Sequence, residues 1–204
     1  MSEAVDTARV ENLDGRRARA ERNRDAVVEA ILELLREGVD QPSANEIAER
    51  SGVSVRSVFR HFEDLETLYA AAIDAQLRVV GPLFALDLPE ASTAERIDAL
   101  VEQRAELFEV ITPVRRAAEG TRRRAKVIDA QLRESRKLLR KHVERGFGPE
   151  LASRSGTERE DLLDALELAT SWRAWDTLRS EQRLSPARAK RVLSTTLHRL
   201  LLDR

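Results

Sequence analysis

The sequence has no cysteine and only three histidines in 204 residues. Without cysteine it can form no disulfide, no zinc–thiolate site and no thiol nucleophile, which fits a reducing compartment. Aromatic residues make up only 4%, and 8 glycines and 6 prolines are few for a β-rich fold with many tight turns. No apolar run approaches the length of a membrane span. The opening "MSEAVDTARVENLDGRRARA" lacks the apolar core of a signal peptide, so the chain reads as cytoplasmic. A net charge of −1 excludes a polycation that coats nucleic acid by bulk charge, so any such contact must be local. His61, His142 and His198 fall on three separate expected helices. There is no His-Glu-x-x-His, no Gly-rich phosphate loop and no Gly-x-Ser-x-Gly. These absences argue against an enzyme and against a metal or cofactor.

What is present is helical. Residues 1–21 lack periodicity and read as a disordered arm whose end, "RRARAERNR", is basic. Val27, Ile31, Leu34 and Leu35 then repeat at helical spacing up to Gly38. "SANE" at 43–46 is a capping box, with Ser43 as N-cap and Glu46 three positions on. A short helix follows to Gly52, and Ser54 caps another that reaches about Phe62. Asp64 caps a helix from Leu65 to about Val80, ended by Gly81-Pro82. Beyond the linker "LFALDLPEA", the box "STAE" at 92–95 opens a helix carrying Ile97, Leu100, Val101, Phe108 and Ile111. Thr112-Pro113 marks a kink or a fresh start. Thr121 opens an arginine-rich helix that runs to Gly146-Phe147-Gly148-Pro149. "TERE" at 157–160 predicts a further cap, before a helix that carries Trp172 and Trp175 to about residue 182. Ser185-Pro186 starts the last helix. The expectation is an all-α fold of about nine helices in two groups: residues 22–80 and residues 81–204.

The most informative stretch is "SGVSVRSVFRHF", residues 51–62. It has no carboxylate, although the chain is slightly acidic. The turn at Gly52-Val53 is too short for antiparallel helices, so the two helices cross at a large angle, as in a helix-turn-helix whose second helix enters the major groove. Ala48 is small where the helices meet, and Gly52 can take a positive φ. Val53, Val58 and Phe62 point inward, which leaves Val55, Arg56, Ser57, Phe59, Arg60 and His61 outward or at the margin. Arginine there can pair with phosphate or fork onto guanine, where a carboxylate would be repelled.

Residues 22–80 resemble the tetracycline repressor (TetR) family of transcriptional regulators. The resemblance rests on Ala48, Gly52, Val53 and Ser54, on the run Val58-Phe59-Arg60-His61-Phe62, and on "EDLETLY" opening the next helix. It implies an operator-binding homodimer of cytoplasmic regulators, with a small-molecule effector bound in the C-terminal domain. It implies further that Ser43 and Ala44 face phosphate and that Asn45 reaches a base. Val55 and Arg56 would face base edges. Ser57, Arg60 and His61 would hold phosphates, with Ser54 and Phe59 completing the surface. Two positions depart from the pattern: Phe59 stands for the usual tyrosine, and Leu65 for a frequent phosphate-binding lysine.

For the C-terminal group, Arg104 and His142 interrupt apolar stripes. Buried unpaired, they would cost several kcal/mol. They would be explained by an effector cavity near Leu77, Phe108, Leu132 and Trp172. The apolar stripes of the last two helices, with Leu162, Leu166, Ala169, Leu193, Leu197 and Leu200, suggest a four-helix dimer interface. Trp172 and Trp175, three apart, fit the same dimer stripe or a pocket wall. Two other readings compete: a helical protein-interaction adaptor with a vestigial helix-turn-helix, and a helical-bundle enzyme.

Overall fold

The computed structural model describes residues 2–85, 87–121 and 126–202, and among them all regular structure is helical. The helices are α1 (Ser2–Arg36), α2 (Ala44–Ser51), α3 (Val55–His61), α4 (Leu65–Ala85) and α5 (Thr93–Thr121). They continue with α6 (Lys126–Gly146), α7 (Gly148–Ala152), α8 (Gly156–Ala169), α9 (Trp172–Asp176) and α10 (Pro186–Leu201), with a π-helical turn at Thr177–Glu181. The described residues divide into two units. The first holds residues up to 75 together with 113–128, and the second holds 76–112 and 129 onward.

In the first unit α1 packs on α2 and α3, and α2 packs on α3. Val27, Ile31, Leu34 and Leu35 of α1 are buried, as are Ile47, Ala48, Val58, Phe62, Leu68, Ala72 and Ile73. Residues 2–21, expected as an arm without regular structure, are the first turns of α1. Arg16, Arg17, Arg19, Arg22 and Arg24 are all exposed.

The second unit has one apolar core. Ile97, Leu100, Val101, Leu107 and Phe108 from α5 meet Val143 of α6, Leu163 and Leu166 of α8, Trp172 and Trp175 of α9, and Leu193 and Leu197 of α10. Several local signals act as expected. Ser92 and Glu95 form the capping box, Asp64 Oδ1 accepts from Thr67 N at 2.7 Å, and Ser185 Oγ accepts from Arg188 N at 3.3 Å.

Others differ. Pro82 and Pro113 lie inside α4 and α5 rather than ending or restarting helices. A proline removes one backbone donor, and neighbouring groups can make up the loss. At the second site the Thr112 hydroxyl donates to Phe108 O at 2.5 Å. Thr121, expected to open the next helix, closes α5, and α6 is described from Lys126. α8 begins at Gly156 with Ser155 as N-cap, so "TERE" sits inside the helix instead of capping it. The expected single helix to residue 182 is broken at Thr170-Ser171. Both hydroxyls take helix carbonyls: Thr170 Oγ1 donates to Leu166 O at 2.7 Å, and Ser171 Oγ to Leu168 O at 2.8 Å. Ser171 then caps α9. This is the competition with helical bonding that serine and threonine offer.

Candidate nucleic-acid interface

The site is built from two capped helices and one left-handed residue. Ser43 caps α2 in a complete box: its backbone N–H donates to Glu46 Oε2 at 2.8 Å, and its hydroxyl accepts from Glu46 N at 3.3 Å. These bonds hold the Glu46 carboxyl below the usual carboxylate range. Gly52 then takes φ 69°, ψ 17° and turns the chain. A side chain at that φ is strained whatever the space around it, which accounts for the glycine. Ser54 caps α3 by accepting from Ser57 N at 3.2 Å. Ile47, Ala48, Val58 and Phe62 hold the pair of helices onto α1.

Fixing Val58 and Phe62 inside dictates what α3 shows outside. Arg56, Phe59 and Arg60 are exposed, and Val55, Ser57 and His61 are half-buried beside them. Phe59 keeps 46% of its surface exposed, an apolar ring on a polar face. Ser43, Ala44, Asn45 and Ser54 lie at the two helix starts, exposed or half-exposed. All ten sequence-predicted residues are therefore accessible. They are not equivalent, however. The Ser43 hydroxyl already donates to Glu46 Oε2 at 2.6 Å, so it serves the cap first. Ser54 Oγ donates to Ser57 Oγ at 3.1 Å, which leaves the Ser57 hydroxyl hydrogen for an outside acceptor.

The arginines separate in the same way. Arg50 forks onto Glu37, with bonds of 2.9 and 2.7 Å, and its Nη1 lies 3.4 Å from Glu33 Oε2. It ties α2 to α1. Arg56 and Arg60 have no ion pair among the described residues. Arg24 of α1, which sequence reading set among the arm arginines, stacks on the Phe62 ring at 5.1 Å from its centroid. It adds a cation close to α3. Burial, then Arg60, then Arg24 push the His61 imidazole below its ordinary value. Its Nε2 is buried with no hydrogen-bond partner among the described residues. Leu65, the second departure, is half-buried at the start of α4.

The arrangement is a helix-turn-helix with a cationic second helix, the architecture of a major-groove reader. Residues 27–72 match the family model of the bacterial regulatory proteins, tetR family. A TetR-family transcriptional regulator from Streptomyces coelicolor has a TM-score of 0.67 at 16% identity, over 88% of this chain and 79% of that one. A transcriptional regulator from Rhodococcus sp. Rha1 has a TM-score of 0.65 at 17% identity, over 89% and 95%. GusR of Salmonella enterica has a TM-score of 0.59 at 19% identity, over 88% and 95%. No curated relative matches the chain in sequence. Residues 27–72 thus carry a domain of the tetR-family type, and the chain as a whole shares its fold with these solved regulators.

The remaining predicted residues lie in the second unit. Leu77, Phe108 and Trp172 pack in its core, and Leu132 is buried on α6. Arg104 and His142 are both buried and lie 3.3 Å apart. A cavity of about 600 Å³ is lined by His142 together with Leu88, Arg96, Arg145 and Pro149, and does not include the other five predicted ligand residues. Of the six residues expected at a dimer interface, Leu166, Leu193 and Leu197 are buried within the chain itself, while Leu162, Ala169 and Leu200 are half-buried. Trp172 and Trp175 also face the chain's own core: their indole N–H groups donate to Thr112 Oγ1 and to Glu109 Oε1, each at 3.0 Å. Among the described residues no helix is long and apolar enough to cross a membrane, and no three acidic or histidine side chains cluster as a metal site.

Proposed function

We propose that the protein is a ligand-responsive repressor that binds a palindromic operator as a homodimer. The observation that carries the DNA reading is the split among the arginines: Arg50 is held by carboxylates, whereas Arg56 and Arg60 on α3 are not. Arg56, near the start of α3, reads a base edge; Ser57, Arg60 and His61 hold phosphates, joined by Arg24. One such helix spans only a few base pairs, so two copies are needed for a specific site.

The dimer forms through an outer face of α8 and α10, which pack on each other. Leu168 is 71% exposed there, with Val192 exposed on α10 and Leu202 just after it. The half-buried Leu162, Ala169 and Leu200 flank this face. An effector bound in the second unit would weaken operator binding. The arginines of α3 favour this reading over the adaptor and the enzyme, since neither needs cations left without carboxylates on that helix.

Selection of bound duplexes from random DNA tests the proposal. A palindrome is expected. Arg56→Ala should then relax preference at one base pair per half-site and cost about 1–3 kcal/mol there. Equal weakening on specific and random duplexes would reduce Arg56 to a phosphate contact, and no enriched sequence would refute the operator reading.

A further inference from the structure

Arg104 is the one fully buried charged side chain in the core of the second unit among the described residues. Its partners are all uncharged and all long. Nη1 donates to Gln103 Oε1 at 3.4 Å, and Nη2 to Leu139 O and His142 Nδ1 at 3.3 Å each. Nε has no hydrogen-bond partner among the described residues. Burial pulls the guanidinium down to about 10, still well above neutral pH, so the group is charged and no carboxylate answers it. A buried cation is ordinarily paired. Other buried or half-buried arginines of this unit obey that rule: Arg96 pairs with Glu150, Arg140 with Glu167, and Arg179 with Glu109.

His142 connects this charge to the cavity. A guanidinium only donates, so His142 Nδ1 accepts and its ring proton lies on Nε2. The same side chain forms part of the cavity wall. Of Arg96, Arg145 and Arg104, only Arg104 has no carboxylate beside it among the described residues. Arg96 is answered by Glu150, and Arg145 lies 3.3 Å from Asp87, while Glu90 adds a negative rim. A dianion would be repelled by that rim, whereas a monoanion cancels the single buried charge. Leu88, Pro89, Ala91 and Pro149 supply the apolar remainder of the wall.

We propose that this cavity binds an organic monocarboxylate with an apolar tail. Its carboxylate is oriented by the Arg104–His142 pair, and its tail lies against Leu88, Pro89 and Pro149. This rests on the effector reading and gives the effector its chemical class.

The experiment uses the full chain and straight-chain carboxylates from butanoate to decanoate, with the matching primary alcohols and alkyl phosphates. Carboxylates should raise the thermal midpoint, more so with longer tails, and the alcohols and phosphates should not. Arg104→Met should weaken carboxylate binding at least tenfold. Unliganded, it should melt no lower than the parent, because it removes an unanswered charge; an arginine with a purely structural role would leave a less stable protein. Should Arg104→Met not fold, Arg104→Lys is measured instead, and loss of the forked donor should still weaken binding. The proposal is overturned if no carboxylate shifts the midpoint, or if the shift survives both variants. Operator release is scored separately. Carboxylate binding through Arg104 without release would refute the effector reading and leave the site. Release by an uncharged molecule, unaltered in Arg104→Met, would leave the effector reading and refute this site.

Discussion

Gly52→Ala isolates the backbone geometry that aims α3. Gly52 sits at φ 69°, and a Cβ built there meets nothing within 4 Å. No clash contributes, so the cost is conformational alone. A left-handed conformation costs an L-residue roughly 1–2 kcal/mol. Reduced freedom of the unfolded chain returns roughly 0.4–1 kcal/mol. The net expectation is a loss of about 1 kcal/mol, or a midpoint lower by roughly 2–4 °C for a chain of this length. Gly120→Ala supplies the opposite sign in the same unit. Gly120 lies in α5 without a positive φ, and its Cβ also meets open space, so alanine should stabilise by about 0.5 kcal/mol. Urea unfolding, read by far-ultraviolet circular dichroism with the slope checked for constancy, measures both. If the two substitutions move stability in the same direction, strain at Gly52 is not what selects glycine there. Operator affinity should fall further in Gly52→Ala than stability alone explains, since the turn sets where Arg56 points.

Two further expectations follow from burial. His61 is held below its ordinary value when folded, so the unfolded chain binds the proton more readily, and stability falls as pH drops through about 6.5 toward the folded value. Urea midpoints of His61→Gln should show a flatter acid limb between pH 7 and 5; an unchanged limb would remove His61 from that account. In the second unit, Leu197→Ala should cost about 2–5 kcal/mol in stability, because Leu197 is fully buried in the chain's own core. Leu168→Glu should instead leave stability nearly unchanged and give monomers in sedimentation; a dimer that survives it lies on another face.

How much of this was legible depended on distance along the chain. Ser43 with Glu46, Ser92 with Glu95, and Ser185 before Pro186 were readable because a cap and its partner lie within one turn. The inward pair Val58 and Phe62 was readable for the same reason: helical spacing places both on one face. Thr170-Ser171 was not, because a hydroxyl that takes a helix carbonyl looks in sequence like any surface polar residue. Leu166 and Leu197 lie on apolar stripes, and both are buried within the chain. A stripe records that a face is covered and says nothing about whether the cover is its own chain. Arg104 and His142 were noticed as separate interruptions. That α5 and α6 bring them within 3.3 Å of each other is tertiary information, carried by no local pattern.

The net charge of −1 and the DNA-facing surface are reconciled by range. At physiological salt the screening length is about 8 Å, so a phosphate responds to the charges beside it and hardly to the molecule's total. What matters is the placement of carboxylates relative to arginines. On α1 and just after it, Glu29 takes Arg36, while Glu33 and Glu37 take Arg50, and those cations are neutralised where they stand. α3 carries no acidic residue, so nothing in it answers Arg56 and Arg60. His61 registers the result from inside the protein: after burial, the largest influences on it are Arg60 and Arg24, both of which oppose a further proton. A phosphate arriving between those groups would offset the repulsion they exert on one another. The cluster is therefore costly in the free protein and relieved in the complex, which is how a nearly neutral chain can hold a strongly attractive site.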